Sequence, residues 1–280
     1  MLAKTLGNPL GNPLGLQRAG ADVSPVPVKT DALFTAPGAY DWVVPRGVYS
    51  ICAVCIGTGG GASNGTRGGG GGGAVAYKNN IAVSPGQTLR ITVGALSTTN
   101  GVSGGDTFIS DATTPGVMLV GAGGGGTAIN STGRAGGVVL VGDGGTAGGA
   151  GANSASAGSG GAGGYLGAPG GAGAGTSGTG GSGGVSSASG GAGNSTQGGG
   201  WGGGQWLYGT EGWSAVPLPG GPSGNGDLGS TSGRPSAGFG IFFGAGGYDG
   251  SVRTIGASGA ARILWGEGRA FPATNVGLNL

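Results

Sequence analysis

Histidine is absent from all 280 residues. Its absence removes the Ser–His–Asp and Cys–His relays, the HExxH zinc sites and the commonest general base together. Charge is scarce as well: Asp, Glu, Lys and Arg make up 8% of the chain, with a net charge of +2. Lysine occurs only at positions 4, 29 and 78, so there is no basic face for nucleic acid. No apolar run approaches the roughly 18 residues that span a bilayer, and membrane insertion is not expected. The opening MLAKTLGNPLG lacks the continuous apolar core of a secretory signal, which points to synthesis in a cytoplasm. A helical apolar stripe with caps is missing throughout.

Cysteine is nearly missing too. The two present lie in ICAVCIG. A redox CxxC opens a helix after a strand, whereas this one sits inside a β-branched run. Alternation there sends Cys52 and Cys55 to opposite faces, so the expectation is two buried structural thiols. The thinly spread carboxylates predict no metal site, no cofactor and no catalytic pair. GxGxxG matches arise only because glycine is everywhere, with no helix to follow them. G-x-S-x-G occurs at 101–105 and 180–184, but without histidine neither is a nucleophile elbow. The chain reads as a non-enzyme.

What is present is glycine, 80 residues of it. Across residues 121–204 nearly half the positions are glycine, and the only charges are Arg134 and Asp143. Disordered linkers usually carry polar and charged side chains; here the other positions are mostly Ala, Ser, Thr, Val and Leu. Ordering glycine costs about 1–2 kcal/mol of backbone entropy per residue, with few side chains to bury in return. If this span is ordered, backbone must pack on backbone. Glycine recurs every third residue at 142–151, 158–173 and 175–184, the period of a polyproline II-type helix. The reading is a bundle of antiparallel glycine helices held by inter-segment hydrogen bonds and Cα–H···O contacts.

Before the glycines, short β-branched and aromatic runs predict strands at 33–35, 40–44, 48–56, 74–83, 88–93, 107–109 and 117–120. Others follow at 138–141 and 260–265, with an aromatic run at 239–243 between them. Pro37-Gly38 and Pro85-Gly86 read as tight turns between paired strands. The fold class is mainly β: a β-sandwich closed by the C-terminal strand, with a glycine-rich, polyglycine II-like insertion and an extended N-terminal leader. The parts are 1–32 as leader, 33–128 plus 257–275 as sandwich, and 129–256 as insertion. In the leader, GNPL repeats at 7–10 and 11–14 and presents Leu10 and Leu14. That is either a plain flexible end or a peptide that docks the protein onto a larger assembly.

The best candidate contact site is WGGGQWLYGTEGW at 201–213. Trp201, Trp206, Tyr208 and Trp213 sit among glycines too small to cover them, and exposed aromatics commonly mark a contact surface. Their rings suit the C–H faces of sugars, while Gln205 and Glu211 could hydrogen-bond hydroxyls. The alternative is a hydrophobic plug closing one end of the bundle, or a subunit contact. Tyr165, Tyr248 and Phe239 are weaker candidates.

FTAPGAYDWVVPRGV at 34–48, PGQTLRITVG at 85–94, MLVGAGGGG at 118–126 and RILWGEGRAFPATN at 262–275 together resemble the glycine-rich domain of bacteriophage tail-fibre and virion proteins. The resemblance covers residues 33–128 and 257–275. Between them, the composition is similar to the polyglycine II sandwich of tail-fibre tip adhesins of T-even-type phages. The NPLG leader has no counterpart in that pattern. The resemblance implies a virion structural protein, a fibre or fibre-tip component made in the host cytoplasm. It implies a homotrimer, with host cell-surface polysaccharide as a further partner; the docking reading of the leader adds contact with other virion proteins. The alternatives are a head- or tail-decoration protein without receptor binding, and a secreted ice-binding or cell-wall glycine-rich protein.

Overall fold

The computed structural model describes residues 31–61, 68–97, 101–114, 116–129, 132–153, 158–174, 181, 183, 202–211, 243–247, 256–274 and 276. The strands are β1 (Asp31–Phe34), β2 (Gly38–Val43), β3 (Ser50–Ile56), β4 (Val75–Ala82), β5 (Thr88–Val93), β6 (Thr107–Asp111), β7 (Met118–Ala122), β8 (Val139–Val141) and β9 (Ala260–Leu264). One sheet has the order β1-β9-β3-β4 and the other β2-β5-β6-β7-β8, with every pairing antiparallel. No α-helix occurs among the described residues; a single 3₁₀ turn covers Gly209–Glu211. The chain is mainly β, as its patterning predicts.

The two sheets face each other across one apolar core. Ile51, Ala53 and Cys55 of β3 and Ala261 and Ile263 of β9 meet Leu89, Ile91, Ile109 and Val120 of the opposite sheet. Trp42 and Trp265 pack across it with ring centroids 5.4 Å apart. The other face of β3 and β9, carrying Cys52, Val54, Ile56 and Leu264, is covered by Tyr165, Leu207, Phe243, Phe271 and Val276. The β1-β9-β3-β4 sheet is thus buried on both sides. That explains why β3 and β9 are almost wholly apolar, with Arg262 of β9 as the charged exception. Cys52 and Cys55 are free and buried on opposite faces of β3, as alternation requires.

Two turns differ from expectation. β1 and β2 lie in different sheets, as do β4 and β5, so Pro37-Gly38 and Pro85-Gly86 carry the chain across the sandwich. Gly86 does take the positive φ of a tight turn, +83°. Local turn chemistry sets the reversal, but the sheet each strand joins is decided by which face must be buried.

At one end of the sandwich the strands run directly into glycine segments. β3 continues as 57–61, β5 as 94–97 and β7 as 123–128, while 69–73, 104–105, 133–137 and 256–259 lead into β4, β6, β8 and β9. Segment 69–73 is the hub. Gly69 and Gly72 donate to Ala152 and Gly149, Gly70 and Gly73 to Gly247 and Gly244, and Gly71 to Gly126. In return Gly69 and Gly72 accept from Arg134 and Gly137, Gly70 and Gly73 from Gly160 and Gly163, and Gly71 from Gly60. Residues three apart therefore bond the same neighbour, which is the three-fold screw of a polyproline II-type helix.

The neighbours also bond one another in a closed ring around the hub. The links are Ala128 to Gly61, Gly126 to Ala135, Gly148 to Gly137, Gly149 to Gly161, Gly246 to Gly160 and Gly247 to Gly60. This is a hexagonal polyglycine array. It is not purely antiparallel as the sequence suggests: the bonds of 133–137 and 158–164 to the hub run in parallel register. A three-fold helix aims its donors in three directions, so either orientation satisfies them. β8 lies beyond residue 128 yet pairs with β7, and segments on both sides of residue 128 build the array.

Candidate functional site

Of the two readings of the aromatic stretch, exposed contact or internal plug, the described residues fit the inward one. Gln205 pairs with Phe243 through two backbone hydrogen bonds of 3.0 and 2.9 Å. It is fully buried, and both atoms of its amide lack a hydrogen-bond partner. Trp206 is 8% exposed and Leu207 1%. Glycine leaves neighbouring segments close enough to cover an indole, the reverse of the assumption that glycine cannot shield one. Tyr208 is half-buried, with the Arg262 guanidinium 4.8 Å from its ring centroid. Glu211 ends the 3₁₀ turn. Trp201, Trp213, Tyr248, Phe239, Leu10 and Leu14 lie outside the described residues.

Around this stretch the structure assembles Tyr165, a weaker candidate from the sequence, together with Tyr77, Phe271 and Arg262, which sequence reasoning did not single out. Tyr77, Tyr165 and Phe271 form a ring cluster over the β1-β9-β3-β4 sheet, with Tyr165 stacked on Phe271 at 5.8 Å and 11°. The Tyr165 hydroxyl donates to the Trp206 carbonyl at 2.8 Å, and burial pushes its pKa up. Arg262 of β9 is fully buried. It donates to the carbonyls of Leu207 at 3.2 Å and Val276 at 2.6 Å, and to the Asp31 carboxylate at 2.9 Å. One guanidinium thus ties β1, β9, the aromatic stretch and Val276 together. A lone charge inside AARILW was the available signal, because a buried arginine needs several acceptors.

The exposed surface of the array is regular. Thr132, Ala135 and Val138 are exposed at three-residue intervals along one segment, Ala150 and Asn153 along the next, and Pro169 and Ala172 along a third. Gly148 and Gly151 bond the first pair of segments, and Gly170 and Gly173 bond the second. Outward positions recur about every 9 Å along each lane, giving a face of small side chains with the Thr132 hydroxyl and the Asn153 amide among them.

No group of three or more His, Cys, Asp or Glu that could hold a metal ion is found among the described residues. No described helix is long and apolar enough to cross a membrane. Burial raises the pKa of both thiols above their ordinary value, which keeps them protonated and poor nucleophiles.

Fold and array together define a mainly β protein whose strands run on into a glycine array. The sequence model of a family described as a glycine-rich domain matches residues 35–266, and the chain belongs to that family. A search of curated proteins found no match.

Proposed function

We propose that the protein is a structural component of a bacteriophage virion, at a fibre or fibre tip, that contacts host-surface glycan. The observation that carries this reading is the hexagonal array grown from the ends of the sandwich strands. Backbone hydrogen bonds in three directions make a rigid body with flat faces and little charge. That suits a part that must stay folded outside the cell while presenting a surface. The FTAPGAYDWVVPRGV opening and RILWGEGRAFPATN ending support the phage context by resemblance.

In this reading residues 1–32 dock the protein to other virion proteins, with Leu10 and Leu14 as anchors, and three copies assemble. Weak contacts from each copy gain strength by display together. Immunogold labelling of intact particles tests the location: label along or at the end of a fibre is expected, and unlabelled particles overturn the virion assignment. Light scattering of the purified chain tests the trimer, which a monomeric mass overturns.

The inward position of Gln205 and Trp206 favours a second reading, a decoration protein without receptor. Replacing Ala135 and Ala150 by Glu on the flat face separates the two. Loss of host adsorption with intact particles supports the contact role, and unchanged adsorption supports decoration.

A further inference from the structure

The two lateral sides of the sandwich are finished differently. Along one, the chain leaving β8 crosses to β4 and covers its edge. The Tyr77 N–H donates to the Gly144 carbonyl at 2.9 Å, the Asp143 N–H to the Tyr77 carbonyl at 2.8 Å and the Val75 N–H to the Thr146 carbonyl at 3.0 Å. The Asp143 carboxylate also accepts from the Asn79 N–H at 3.0 Å. Along the other side β1 and β2 end their sheets, with the Phe34 and Tyr40 rings 5.5 Å apart between them. Among the described residues no backbone hydrogen bond reaches the outer edge of either strand. An uncovered edge is a template for another strand.

The two edges differ in chemistry. β2 carries the exposed Asp41, ion-paired with Arg90, and charge on an edge discourages pairing. β1 has its one charge drawn inward, because the Asp31 carboxylate accepts from the buried Arg262 at 2.9 Å. The rest of β1 is Ala32, Leu33 and Phe34, with Leu33 40% exposed. β1 is therefore the apolar edge, in a sheet that is buried on both faces further in.

Residues 23–28, VSPVPV, have the matching pattern. They carry no charge, and alternation places apolar side chains on both faces of a strand. Successive strand residues turn their N–H to opposite edges. Pro25 and Pro27 therefore share one edge, and Ser24, Val26 and Val28 the other. Such a strand pairs through its second edge, while the prolines on its first stop any further addition.

The segment has no place on its own sheet. Asp31, the first residue of β1, pairs with Leu264, the last of β9, so β9 offers no partner to the residues before Asp31. The chain after β9 turns at Gly266, with φ of 113°. A direct return onto β1 needs a two-residue turn at Lys29-Thr30, whereas tight hairpins use Gly, Asn or Asp there.

We propose that β1 takes residues 23–28 of a second copy as an added edge strand, joining copies head to tail. A head-to-tail joint is heterologous, the kind that closes into a ring of copies. That the ring has three members rests on the reading under Proposed function; the joint itself does not.

The test uses the purified full chain, with mass read by light scattering and amide protection by hydrogen exchange and mass spectrometry. Amides of 24–34 are expected to exchange at least about tenfold more slowly in the oligomer than after dilution to monomer. Val26→Pro removes the central N–H of the segment and should weaken association at least about tenfold. Val26→Thr keeps that N–H and a β-branched side chain, and should stay within about threefold of the parent. Leu33→Lys, at an exposed position, should weaken association as Val26→Pro does while leaving the melting temperature of the dilute chain unchanged. An oligomer that Val26→Pro and Leu33→Lys leave intact overturns this joint and not the trimer, whereas a chain monomeric at every concentration overturns both. Protection of 24–28 that persists in the monomer overturns a second copy as the donor of the strand. Each outcome is read on purified protein and leaves the location of the chain in the particle to the labelling experiment.

Discussion

The sandwich and the glycine array are built from the same chain by opposite rules. In the sandwich, side chains from two sheets interdigitate and hold the backbones about 10 Å apart. In the array, side chains are removed and neighbouring backbones hydrogen-bond directly in three directions. A Cβ placed on Gly72 would strike the carbonyl of Gly161, and one on Gly60 the carbonyl of Gly126. The first region is stabilised by apolar area, the second by many backbone bonds worth about 1 kcal/mol each net. The sandwich should therefore tolerate altered volume in a graded way, whereas the array should not tolerate an added methyl.

Gly72→Ala is the sharpest way to break that contrast. It is expected to destabilise by at least about 5 kcal/mol, through the forced opening of the hub and lost bonds. Urea unfolding measures it, and a change under about 1 kcal/mol would refute backbone-on-backbone packing. Arg262→Leu comes next, at about 3–5 kcal/mol. It strands the Asp31 carboxylate and two carbonyls where the regions join, and the same unfolding curves read it. Ile91→Ala in the inter-sheet core should lose about 3 kcal/mol, a loss that Ile91→Val should recover in large part.

A smaller effect separates the regions by pH. Cys55 belongs to the inter-sheet core, and burial raises its thiol pKa above the ordinary 9.0. The native state holds its proton where the unfolded state has lost it. This contribution is therefore complete below pH 9.0 and declines as pH rises beyond it. Cys55→Ala should flatten part of that alkaline decline in melting temperature, and alkylation of the native protein should be negligible until it unfolds. The smallest effect is expected at the surface. Arg90 and Asp41 form a two-bond ion pair that is about half exposed, so Arg90→Ala should leave the melting temperature unchanged.

Much of the sandwich was legible because its signals are local. β-branched runs bounded by glycine and proline locate β2, β3, β4, β5 and β9 to within two residues at either end. Alternation put Cys52 and Cys55 on opposite faces. The sequence left Trp206 open between an exposed contact and an internal plug, because composition says only that glycine lacks bulk. Whether that opens a residue to solvent or lets other segments close over it depends on how many segments arrive. Arg262 was missed for a related reason: its acceptors Asp31, Leu207 and Val276 lie far apart in the chain.

By itself the sequence determined the kinds of backbone available: extended strands where β-branched residues cluster, and three-fold helices where glycine recurs without bulk. It also determined that acid–base chemistry through histidine is absent. Only the tertiary structure decided which sheet each strand joins, that a hub gathers six neighbours, and that aromatic residues and an arginine close the seam. The reason is physical. Propensity acts between residues near in sequence, whereas hydrogen bonds among glycine segments are alike in chemistry. Which segment meets which is therefore settled by packing of the whole chain.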